Sequence, residues 1–190
     1  MAMSESGVEL HGGAAIELRL EELSQLFDPF DPFPIPTRDL AKSAEDFIVG
    51  WARELPRDEI FRIVVHVSER EATGAAAAGL ARALRRHFTY RAERTSGDLH
   101  EMFRIGRLSL LIGLAVLGGC VLGGRLVSGI LGPGDVSSFF VEGLIILGWV
   151  ANWRPIEIFL YDWWPLSQRR QLYLRLAGAE VQVRSVRDGS

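Results

Sequence analysis

The sequence predicts a small α/β (α+β) cytoplasmic domain with a two-helix transmembrane hairpin inserted in it. Two apolar runs carry the hairpin: 108–131, charged only at Arg125, and 136–153, charged only at Glu142. Each approaches the roughly 20 residues that cross about 30 Å of hydrocarbon. Mean hydropathy is positive although 24% of residues are charged, so the apolar residues are concentrated in these runs. The α/β part rests on short alternating stretches on both sides of the hairpin, separated by helix-period segments.

Residues 1–13 are polar and acidic and are expected to be disordered. They show no basic-then-apolar signal peptide, and Ala2 is not a myristoylation glycine. The cytoplasmic α/β domain is read over 14–104. "AIELRL" turns Ile16, Leu18 and Leu20 to one side, as a half-buried strand does. "FDPFDPFPIP" (27–36) is a proline-stiffened strap. Its Asp28 and Asp31 either serve a basic partner or sit in a segment laid across the domain. "RDLAKSAEDFIVGWAREL" puts Leu40, Ala44, Phe47, Ile48 and Trp51 on one helical stripe that Pro56 ends. "IFRIVVHVS" is a second strand with Phe61, Ile63, Val65 and Val67 on one face. "EATGAAAAGLARALRRHF" is a second helix. Asp98 with Glu101 predicts a fresh helix N-terminus before the first span.

The hairpin is placed at 105–153, with "GPGD" as its turn. Arg91, Arg94, Arg104 and Arg107 precede it, Arg154, Arg169 and Arg170 follow it, and the connection has no base. The positive-inside rule then puts both termini in the cytoplasm. The chain is expected in the inner (plasma) membrane, a bacterial setting suggested by 20 arginines against one lysine. Trp149, Trp153, Tyr161, Trp163 and Trp164 form an aromatic belt at the inner surface. Arg125 and Glu142 lie at matched distance from Pro133, and an intramembrane ion pair is predicted between them. Ala115, Gly119 and Gly123, spaced by four, form a helix-packing groove for either the second span or a neighbouring protomer.

Residues 154–190 begin with an interfacial helix, "RPIEIFLYDWW", and continue as a basic helix, "PLSQRRQLYLRLAG". A lone terminal strand needs a partner, so 179–186 is expected to return to the N-terminal sheet.

The ending "GWVANWRPIEIFLYDWWPLSQRRQLYLRLA" resembles bacterial two-span membrane proteins of no assigned function, over 142–177. That resemblance implies an anchored cytoplasmic domain and brings no catalytic residue with it.

Catalytic and cofactor signatures are missing from the sequence. His11, His66, His87 and His100 have no metal-ligand spacing, and Cys120 is a lone cysteine. "GAAAAGLA" has the glycine spacing of a phosphate loop, but Leu80 and Ala81 stand where Lys and Ser/Thr are required. No metal, cofactor or nucleic acid is expected. Residues 1–71 carry a net charge of −8, against +4 for 72–107 and +2 for 154–190. The basic parts therefore suit lipid headgroups and the acidic part a protein partner. The expected partners are the lipid bilayer, a second copy of the chain and a protein on the acidic face. The reading is a membrane-anchored scaffold or assembly subunit. One rival is an oligomeric channel or transporter subunit using Arg125 and Glu142. Another is a lipid-directed enzyme using Glu157 and Asp162.

Overall fold

A computed structural model describes residues 15–33, 37–56 and 61–186; the expected disordered N-terminus lies outside them. The chain forms two compact units, 1–93 with 170–190, and 94–169.

The first unit is built on strands β1 (Ala15–Arg19), β2 (Arg62–Ser68) and β3 (Glu180–Val186), all parallel, in the order β1-β2-β3. Helix α1 (Lys42–Glu54) connects β1 to β2, and a short helix α2 (Glu69–Ala72) follows β2. The register aligns Ile16, Ile63 and Val181 in one row and Leu18, Val65 and Val183 in the next. These rows face one core. Ile48 and Ala52 of α1 and Tyr173 and Leu176 near the C-terminus fill it, with Leu80, Leu84 and Phe88. The helical side chains that fill this core therefore lie on one face of the sheet. The other face carries Glu17, Arg62, His66, Glu180 and Arg184 around a buried Val64. Arg62 pairs with Glu180 there at 3.6 Å, and His66 with Glu17 at 3.5 Å.

The segment 27–40 is closed at its base by a bridge between Phe27 and Leu40. The carboxylates of Asp28 and Asp31 accept backbone N–H bonds from Phe30 and Phe33, and Asp31 also accepts from Asp39. Those bonds hold the Asp31 carboxyl below its ordinary range. The acids of the strap thus organise their own loop.

Helix α3 runs unbroken over Ala75–Leu131. The helix start expected at Asp98 does not exist: Asp98 and Glu101 lie mid-helix, so neither caps anything. A cap needs a non-helical residue to expose its acceptor, and nothing in 90–104 obliges the backbone to leave the helix.

In the second unit α3 turns at Gly132, whose φ of 73° lies in the left-handed region, and returns as α4 (Asp135–Ala151). A one-turn helix α5 (Trp153–Glu157), a π-helical turn (Ile158–Asp162) and helix α6 (Trp163–Ala177) follow. The expected interfacial and basic helices are therefore one nearly continuous run. Pro165 has no N–H for the carbonyl four residues back, and its ring crowds that carbonyl. The widened turn just before it relieves that conflict. Both helices of the hairpin are long and apolar enough to cross a membrane.

Candidate functional site

The seam of the hairpin is made of small residues, of which the spacing-by-four picked out only Gly123. A Cβ on Gly113 would stand 2.6 Å from Asn152 Oδ1, and one on Gly148 only 3.2 Å from Leu117 Cα. Gly124 faces Val141 at 3.7 Å, and Gly106 faces Ile158. The packing stripe on α3 is thus Gly106, Gly113, Leu117, Cys120 and Gly124, at the 3–4 and 7 residue spacing of helices crossing at a shallow angle. Gly119 and Gly123 each precede a seam residue and are turned about 100° to one flank. Ala115 and Gly119 are exposed, and Gly119 has nothing within 4 Å of its Cβ position. Gly123 meets Leu144 at 3.7 Å, as close as Gly124 comes to Val141. The second span therefore reaches the predicted groove only at Gly123.

Asn152 locks the end of the seam far from the turn, a residue the sequence pattern did not single out. The helix breaks there: its N–H bonds Trp149 O at 3.0 Å, leaving Gly148 O without its regular partner. The buried Asn152 amide replaces it, donating to Gly148 O at 2.9 Å and across the seam to Gly113 O at 3.0 Å. The signal was legible in "ANWRP", since Pro155 deprives the carbonyl of Ala151 of its donor and marks a break.

Arg125 and Glu142 are both exposed, and no ion pair joins them. The intrachain pair predicted from matched depth is absent because depth is only half of the requirement: each group leaves its helix away from the seam. Glu142 instead borders an open notch of about 470 Å³ beside the turn, with Ser128, Ser137 and Ser138.

At the other end of the hairpin Trp149 and Trp153 pack with ring centroids 5.6 Å apart, as do Trp163 and Trp164. Trp149, Trp153, Tyr161 and Trp164 are exposed. Arg154 lies 3.2 Å from both Glu157 and Asp162, and Trp153 Nε1 donates to Glu157 at 2.8 Å. Both acids thus share Arg154 as a partner at the belt.

Among the described residues of the first unit one acid is buried. Glu45 of α1 accepts from Arg91 at 2.6 Å and lies 3.3 Å from His87 Nε2. Arg91 also stacks over Tyr173, and Tyr173 on Phe88. Burial pushes the His87 imidazole below its ordinary 6.5, against the pull of Glu45. Partial burial opposes the Arg91 charge, but Glu45 outweighs it and raises the guanidinium pKa. A hollow of about 230 Å³ adjoins this cluster, lined by Arg38, Asp39, Arg86, His87 and Tyr90. A wider one, about 520 Å³, lies at the carboxyl ends of the strands beside Arg19, Glu21, His66 and Ser68. That is where α/β sheets hold ligands, yet no nucleophile hydrogen-bonded to a base is found in either hollow among the described residues. Nor do those residues contain a group of three His, Cys, Asp or Glu able to hold a metal.

No family model, curated protein or solved structure matches the chain.

Proposed function

We propose that the chain is an integral membrane protein of the inner (plasma) membrane, with both termini cytoplasmic. Its apolar hairpin anchors a small α/β domain and serves as a scaffold or assembly subunit. The observation that carries this is the split between two small-residue stripes. One set of glycines is consumed in the intrachain seam, while Ala115 and Gly119 stay uncovered on a different face. In lipid, where apolarity offers no drive for association, such an open stripe is the surface on which another helix packs closely. The belt and the basic flanks support the orientation. The acidic balance of residues 1–71 suits a protein partner. A channel gains no support from the fold of one chain, because Arg125 and Glu142 reach the outside of the hairpin rather than a passage within it.

Crosslinking of membranes in the cell, followed by native mass spectrometry in mild detergent, tests the reading. Complexes containing more than one chain, or a constant second protein, are expected. A strict monomer with no captured partner would defeat it.

A further inference from the structure

The two intramembrane charges share one flank of the hairpin, and that flank is complementary to itself. Gly124 and Val141 face each other in the seam, and Arg125 and Glu142 are the residues that follow them. One residue turns an α-helix by about 100°. Because the two helices are antiparallel and face each other, the same turn carries both side chains to the same side. Their depths agree to within about 3 Å, one residue of rise on each helix. Leu114, Gly118 and Val121 continue this flank from Arg125 along α3, and Ile145 and Trp149 continue it from Glu142 along α4. All are exposed, and Gly118 has open space around it.

On the reading that the hairpin crosses the bilayer, we infer that this flank docks on the same flank of a second copy, so that Arg125 of each protomer pairs with the partner's Glu142. Copies inserted with one topology are related by a two-fold axis along the membrane normal. That axis sets α3 of one against α4 of the other, and an isologous contact meets every such pair twice. Charge complementarity names the occupant: the face offers one cation and one anion within about 3 Å of the same depth, and a copy of itself returns one anion and one cation opposite them. Within one chain the two groups stand side by side and point outward. Between copies they stand opposite each other, and each offsets the cost of holding the other in hydrocarbon. Gly118 lets the helices approach. The Ala115–Gly119 stripe lies elsewhere on the hairpin and stays free for a different partner.

The test mixes two singly charged-reversed variants. Copies bearing R125E and copies bearing E142R, with different tags, are expressed separately and together. Each alone sets like charges against each other in the dimer. A mixed dimer restores both opposite pairs. The expected result is loss of both homodimers and a heterodimer exceeding either by roughly tenfold or more in lipid nanodiscs. An intrachain pair predicts no rescue on mixing, and that result overturns the proposal. Independently of the charges, G118C copies mixed with I145C copies, in a C120S background, are expected to form an oxidised heterodimer; its absence counts equally against the proposal. Carbonate extraction of the same membranes separates the two levels. Wild-type protein released by carbonate overturns the membrane reading and this dimer together, whereas retained protein without mixed-pair selectivity overturns the dimer alone.

Discussion

Two glutamates show how differently the halves of this chain handle charge. Glu45 is buried in the α/β unit with Arg91 and His87 brought to it from α3. Glu142 lies on an apolar helix with no charged partner in its own chain among the described residues. In water an acid is buried only when its own fold completes it. In the hairpin the fold is complete without the acid, because glycines and Asn152 hold the seam. The first charge is therefore part of its fold, and the second is the one the proposed dimer assigns to a neighbouring copy.

Several substitutions sharpen or break that contrast. The largest expected effect is in the α/β core. Phe88→Ala empties a fully buried ring stacked on Tyr173 and should cost about 4 kcal/mol in unfolding of the full chain followed by circular dichroism. Next comes Glu45→Ala, which removes the acid that Arg91 and His87 share and is expected to cost about 2 kcal/mol. Glu142→Gln, by contrast, should leave the unfolding of a monomer in detergent nearly unchanged. A large loss of monomer stability there would erase the distinction between the two acids.

Within the hairpin, Gly148→Ala drives a methyl onto Leu117 and should cost about 2 kcal/mol in resistance to unfolding by SDS, while Gly143→Ala, in open space and off the proposed dimer flank, should not. Equal effects would mean that the seam lies on another stripe. Asn152→Ala removes two carbonyl partners and should cost about 1 kcal/mol in the same titration. The smallest effect is on pH dependence. Burial lowers the folded pKa of His87 below 6.5, so near pH 6 the unfolded chain binds more protons than the folded one. Its contribution is present above 6.5 and is lost as the pH falls through the lowered folded value. The slope of stability against pH below 6.5 should flatten in His87→Gln; an unchanged slope would place the titration elsewhere.

Much of this architecture is legible in the residues. Alternation found the three strands, because a half-buried strand must repeat with period two. The two apolar helices are read directly from run length. What sequence spacing did not reveal is which of several glycine stripes packs. Gly113, Gly119 and Gly124 look alike in sequence, and only the angular placement of α4 decides among them. Depth counting from Pro133 brought Arg125 and Glu142 to one level but ignored azimuth, and azimuth sends them out of the seam. The Asp98 cap failed for a related reason: a capping residue type is only a cap where the chain has a reason to stop. Glu45 was invisible as a site because its partners come from more than 40 residues away.

The sheet makes the central claim testable without any variant. β1 and β3 both pair with β2, so chain segments before and after the apolar hairpin belong to one fold and must share a compartment; only an even number of crossings allows that. Reporter fusions at the two ends, scored for cytoplasmic or external activity in cells, read this out. Both ends reporting the cytoplasm is the predicted result. Activity on opposite sides of the membrane would contradict the account.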